Sequence, residues 1–296
     1  MTGHTNFSPS APSSLSASCS ISSVIGVLVI AVARFIAYIG IINNPAVHRH
    51  PTTNMHKYKT LHLWMLLPMI IMQLGIFSDY WGDFTDNAWS VHVHYWTGTA
   101  WYIYLIIQPY FATHGKMPAH RTNGIIGMFI AGGVCLTALS MMHRDIQNAE
   151  TALAKAAQFG PFQPWFFFGV AAVEIVMMTA FGWAIIQSII HRKKMEDHAW
   201  WLIASVFIIM MPALGRGIQN VYVGLHSKQW PQVNIMVPIY YTLVIIIGLV
   251  LLGAWKYRKL THAATYLAIA VNLFIFFLEP VGRSAAVQHF LTRLVK

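Results

Sequence analysis

Histidines are the residues in this chain best suited to chemistry, fifteen of them in 296. Three apolar segments open on a histidine with an aromatic two places on: His62-Leu63-Trp64, His94-Tyr95-Trp96 and His198-Ala199-Trp200. His120 precedes a further apolar segment and His143 closes it. A b-type haem between helices needs two neutral imidazoles, from different helices, at one depth. His94 and His143 fall toward one end of the expected bundle, with His92 nearby. His62, His120 and His198 fall toward the other. Each set offers a pair of haem b ligands, so haem iron is the metal expected at His94, His120, His143 and His198. The plainer alternative for each is an interfacial anchor, amphipathic and partly hydrated. His120 and His143 lie roughly 34 Å apart along an ideal helix, more than the ~30 Å hydrocarbon core. One of the two is therefore expected at the surface.

Two charges lie at membrane depth. Arg34 and Glu174 each stand near the middle of an apolar segment, where an ionisable group is costly and a functional candidate by default. They are expected to pair, either as a structural ion pair or as part of a proton or solute path. Arg216 follows Pro212 and Gly215 at a segment end. It is placed to snorkel to phosphate or to hold an anionic group such as a haem propionate or a quinone-like head. His92 and His94 point apart within a regular helix. They could share zinc or copper with Asp79, Asp83, Asp86 or Asp145 only if the helix begins after them. Glycine-rich phosphate loops, His-Glu-x-x-His and Gly-x-Ser-x-Gly are absent from the sequence.

The elements that must position these residues are transmembrane helices. The chain is 56% hydrophobic and only 9% charged, with a mean hydropathy of +0.54. A soluble surface needs about 25% charged residues. Eight segments approach the roughly twenty apolar residues of a span: Ile21 to Ile42, Leu61 to Phe77, Val91 to Phe111, Thr122 to Met142, Pro164 to Ile190, Ala199 to Leu214, Val233 to Trp255 and Ala263 to Leu278. The fold class is therefore all-α, a polytopic transmembrane bundle of about eight spans. Residues 1–20 read as a disordered N-terminal tail, 21–280 as the membrane domain and 281–296 as a short C-terminal tail.

Basic loops alternate with non-basic ones. Lys57 with Lys59, Lys116 with Arg121, Arg192 to Lys194, and Lys256 with Lys259 mark one side. Asp79 to Asp86, the stretch from Arg144 to Gly160, and Gly217 to Gln232 mark the other. With eight spans, the positive-inside rule puts both termini outside the cytoplasm of a bacterial inner membrane. The net charge of +10 is spread over these loops rather than gathered on one face, which argues against nucleic acid as a partner. Cys19 and Cys135 form no disulfide framework. Trp64, Trp81, Trp89, Trp96, Trp165, Trp200, Trp201, Trp230 and Trp255 are expected in the headgroup layer. Gly124, Gly127, Gly132 and Gly133 are expected to let helices approach closely.

The segment from His94 to Gly124 opens a helix on His, carries Gln108-Pro109 near its end, then His120-Arg121 and Asn123-Gly124. Later come Glu196-Asp197-His198-Ala199-Trp200-Trp201 and a helix ending in Gly215-Arg216. This order resembles the bacterial membrane-protein family known as domain of unknown function 2306, over about the middle half of the chain. The resemblance implies that His94, His120, Arg121, His198 and Arg216 are the matching positions. It also implies an arrangement similar in outline to transmembrane cytochromes b, with haem b between helices and a quinone or small donor as redox partner. The histidines stand at helix ends rather than on four consecutive helices, which departs from a two-haem pattern. A transporter or channel-like protein built on Arg34 and Glu174, or a non-catalytic subunit of a membrane complex, are the alternatives.

Overall fold

The structure is a computed structural model that describes residues 55–295. The expected first span, Arg34 and Cys19 lie outside the described residues. The described chain is helical. In chain order the main helices are α1 (Leu61–Gly75), α2 (Trp89–Thr113), α3 (Met117–Ala154), α4 (Pro164–Ile190), α5 (Met195–Leu225), α6 (Met236–Tyr257), α7 (Ala263–Arg283) and α8 (Ala285–Val295). Five of them, α3 to α7, are long and apolar enough to cross a membrane. α1 spans only about 22 Å at 1.5 Å per residue. α2 has 25 residues, and His92, His94, Thr97, Thr99 and Gln108 dilute its apolar character.

The punctuation is local chemistry. Gly115, at φ +74°, ends α2 in a left-handed turn that a side chain would resist. Pro118 and Pro164 sit in the first turns of α3 and α4, where a missing N–H costs nothing. α5 breaks at Ile209 and Met210, because Pro212 cannot donate back to the preceding turn. The two halves run Met195–Ile208 and Met211–Leu225.

On α4, Gly169, Val173, Met177, Phe181, Ala184 and Ser188 form one buried stripe, while Trp183, Ile186 and Ile190 remain exposed. That is the 3.6-residue period of a helix packed on one side. α3 and α7 pack along α4; α2 lies against α3, and α1 and α6 against the second half of α5. Against a lipid background such contacts gain from close packing more than from leaving water. One close approach is α1 on α5: a Cβ on Gly75 would sit 2.2 Å from the Ala213 carbonyl oxygen, and one on Gly217 2.8 Å from the Gly75 Cα.

Several expectations change. α3 does not stop at Met142 but runs 38 residues to Ala154. The stretch after Arg144 is rich in Ala, Gln and Glu and free of Pro and Gly until Gly160, so nothing interrupts the helix. Its Ile146 and Ala149 pack with Phe168, Ala171 and Leu291, and the C-terminal stretch read as a tail thus contains the docked helix α8. Trp165, Trp200 and Trp201 are buried rather than interfacial, and Trp200 has no exposed surface. Its indole donates to Thr265 Oγ1 at 2.9 Å. Gly127 and Gly133 do meet α2, at Tyr104 and Thr97, but Gly124 and Gly132 face open space.

Candidate functional site

Two cavities open among these helices, and both contain residues singled out by sequence. The first lies among α2, α3, α4 and the second half of α5, at the end of the bundle away from the basic loops. Its volume is about 520 Å3, within the roughly 300–1,000 Å3 typical of ligand sites. His94, Glu174 and Arg216 line it, together with Arg144, Asp145 and Asn220. Ile209, Met211 and Pro212 bring the break of α5 into the wall.

One side of this cavity is a closed polar network. Arg216 Nε lies 3.3 Å from Asp79 Oδ2, and its Nη1 donates to the Tyr95 hydroxyl at 2.8 Å. Asn220 Nδ2 donates to Ser78 Oγ at 2.9 Å and to the Asp79 carboxylate. Tyr80 hydrogen-bonds to His92 Nδ1 at 3.0 Å and packs on Tyr95. The Tyr80 hydroxyl, outside the spanning helices, has its pKa pushed up by burial. The glycine contact between α1 and α5 sits at the foot of this network: Gly75 is four residues before Asp79, and Gly217 follows Arg216 directly.

The other side is open in the chemical sense. Glu174 Oε2, Arg144 Nε, Gln219 Nε2 and the Tyr102 hydroxyl are buried without a hydrogen-bond partner among the described residues. All four residues line the cavity. Glu174 feels Asp145, Arg216 and Arg144 as its charged neighbours. The partner predicted for it, Arg34, lies outside the described residues. A buried polar atom without a partner is expensive, so four around one cavity mark where something polar belongs.

His94 shares this cavity, with Nδ1 3.3 Å from Thr137 Oγ1. His143 does not join it. It is exposed and bonds Gln147 one turn on, at 2.8 Å. The expected outer haem pair is therefore not brought together. α2 begins at Trp89, ahead of His92 and His94, so the two rings diverge, one to Tyr80 and the other to Thr137. Among the described residues no group of three or more His, Cys, Asp or Glu side chains is arranged to hold a metal ion.

The second cavity lies at the basic end, between α1, α2, α3 and α5, and has a volume of about 240 Å3. Here the inner histidines do meet: the His120 and His198 rings are 6.2 Å apart, centroid to centroid. His198 Nδ1 is within 2.9 Å of the Ser188 carbonyl, which leaves Nε2 free, the presentation common to axial ligands. The donor chemistry suits iron, but the space does not suit a porphyrin, since 240 Å3 lies below the usual cofactor range. In the roomier cavity His94 is the only histidine on the wall among the described residues. Among the described residues neither cavity offers two imidazoles and room for a macrocycle together, so these residues do not by themselves fit haem b.

Sequence reasoning missed Arg144 as a wall residue because it ended at Met142 a helix that runs to Ala154, and it offered Asp145 only as a possible metal ligand. It also passed over Tyr102 and Gln219, which are polar or amphipathic residues inside apolar runs, and gave Tyr95 and Gln108 no role beyond their place in short motifs. Arg216, Gln219 and Asn220 at helical spacing are the signal that could have found one wall. No protein-family model, curated protein or solved structure matches this chain.

Proposed function

We propose that this is an eight-span protein of the bacterial inner membrane, with Ile21 to Ile42 as its first span and both termini outside. The basic loops then face the cytoplasm and the 520 Å3 cavity faces outward. The function we infer is of the transporter class: binding and passage of a small amphoteric solute, one carrying both a carboxylate and an ammonium group.

The observation that carries this reading is Glu174 Oε2, buried with no hydrogen-bond partner among the described residues, in the same cavity as Arg144 and Arg216. Fixed charges of both signs around one apolar-walled space complement a solute that itself carries both signs. The break in α5 supports it. Half-helices in carriers point their positive N-terminal ends at the anionic group of the solute, and Met211 begins such a half here. Glu174 would take the ammonium group, and Arg144 with the α5 break the carboxylate. Arg216, tied to Asp79 and Tyr95, would set the shape and potential of the wall.

The test is uptake of radiolabelled amino acids, tried singly, into proteoliposomes of the purified full-length protein. At least one is expected to accumulate above protein-free vesicles. Losing one partner of a buried charge pair costs about 2–5 kcal/mol, so Glu174→Gln should weaken that uptake by roughly 30-fold or more. Absence of flux and binding for every zwitterionic solute, or full uptake by Glu174→Gln, overturns the reading.

A further inference from the structure

The smaller cavity contains a second unexplained feature, independent of the solute reading. Gln108, on α2, is 2% exposed, and both its Nε2 and Oε1 lack a hydrogen-bond partner among the described residues. It lines the 240 Å3 cavity with His120 and His198, and His120 Nδ1 is likewise buried and unpartnered. Around them the wall is mostly apolar, with Leu61, Met65, Leu105, Leu202 and Ile203, and it also carries the buried Tyr58 hydroxyl. A primary amide with neither end satisfied, in a mostly apolar pocket, is a strong mark of a missing partner.

The chemistry of that partner is constrained. The amide offers an NH2 donor group and a carbonyl acceptor, and a single oxygen that both accepts and donates can engage both ends at once. A hydroxyl does this, and a carbonyl meets the donor half. The partner's head is uncharged, because the polar groups inside the pocket are an amide, imidazoles and the Tyr58 hydroxyl. The one guanidinium on the wall, Arg192, is exposed at the rim. The remaining surface is apolar and lies among membrane helices, so the rest of the molecule is hydrocarbon. Met117, also exposed and at the rim, leaves an unbranched, adaptable edge where a tail could pass into lipid. A phospholipid or fatty-acid head would bring a charge with no counter-charge inside.

We propose that this cavity binds an uncharged membrane lipid through a hydroxyl or carbonyl oxygen held by Gln108, with His120 as the second polar contact. Two natural sources share that chemistry, quinols with their quinones and acylglycerols. The pocket is distinct from the solute cavity and uses none of the residues assigned there, so either proposal can fail alone.

The experiment is a binding titration followed by native mass spectrometry on the detergent-purified full-length protein. The probes are a benzoquinone with a ten-carbon tail, its reduced quinol, dioleoylglycerol, and decanoate as the charged control. Saturable one-to-one binding of the quinone and quinol, or of dioleoylglycerol, is expected, and decanoate should bind at least about tenfold more weakly. Which probe binds identifies the source. Gln108→Leu removes the amide at similar volume and should weaken the bound probe about tenfold. The ligand-free variant should melt no lower than the wild type, since an orphaned buried amide is removed rather than a made bond. Gln108→Met serves as a second variant of similar length. The proposal is overturned if no neutral probe binds, if decanoate binds equally well, or if affinity survives in a folded Gln108 variant. It is equally overturned if both variants fail to fold, because the amide is then holding the protein together.

Discussion

The closest backbone approach in the α1–α5 interface makes a quantitative prediction. Replacing Gly75 with Ala puts a Cβ 2.2 Å from the Ala213 carbonyl oxygen and 2.6 Å from its carbon. Ordinary carbon–oxygen contact begins more than 1 Å further out, and the atoms in the way are backbone. No rotamer change can make room, so α1 and the second half of α5 must separate. Overpacking of this kind costs typically 1–3 kcal/mol; a clash with backbone belongs at the upper end. Gly132→Ala on α3 is the matched control, because nothing lies within 4 Å of its added Cβ. There the usual helix preference for Ala applies, a gain of roughly 0.5–1 kcal/mol. The two substitutions add the same methyl group and should move stability in opposite directions. At about 2–4 °C per kcal/mol for a chain of this general size, Gly75→Ala should lower the apparent melting temperature by roughly 4–12 °C. Gly132→Ala should raise it by up to about 4 °C. Scanning fluorimetry in one detergent, at one scan rate, measures both, the fixed rate being needed because such unfolding is commonly irreversible. Since Asp79 and Arg216 flank this contact, Gly75→Ala should also impair amino-acid uptake. A Gly75→Ala protein as stable as the wild type would refute the packing argument.

His262, outside the spanning helices, predicts a pH dependence. Its Nδ1 accepts the Ala264 N–H at 3.1 Å and caps α7, and its Nε2 lies 3.5 Å from Asp197. Burial first, then the Lys259 charge, hold its pKa below the usual range, with Asp197 opposing and His191 reinforcing. The unfolded chain therefore binds the proton more readily. This contribution to stability is present above about pH 6.5 and lost as pH falls toward the folded-state value. Lost capping is worth about 1 kcal/mol. His262→Asn keeps a capping group that does not titrate, so its melting temperature should fall less between pH 7.5 and 5.5; equal falls would remove His262 from the account. Finally, protein purified from haem-replete cells is expected to show no Soret band. A bis-histidine spectrum that disappears in His120→Ala would show that the smaller cavity opens to admit a porphyrin.

Much of the helical layout was legible from hydropathy and punctuation. Pro164 to Ile190 was read to the residue, because a proline starts that helix and a basic, polar run follows it. The alternation of basic and non-basic loops sorts His62, His120 and His198 to one end of the bundle, and within that set it is the fold that sets His120 near His198. Arg216 and Glu174 stood out because charge within apolar sequence is rare. Their shared cavity lay beyond the reach of sequence: α3 continues past Met142 only because helix-forming residues find a partner in α8, and that extension delivers Arg144 and Asp145 to the cavity wall.

What the sequence determined by itself is the class of environment: a charge-poor chain whose apolar runs, basic loops and buried-type charges belong to a membrane bundle. Periodicity along one helix records which face is apolar, but not which residue on a neighbouring helix it meets. The tertiary structure decided the pairings, and with them the chemistry. It turned His143 outward and set His92 on Tyr80. It also left Gln108 and Glu174 with atoms that no neighbour among the described residues satisfies. Whether a polar atom is satisfied depends on distances of a few tenths of an ångström between segments far apart in sequence, and only the folded chain sets those.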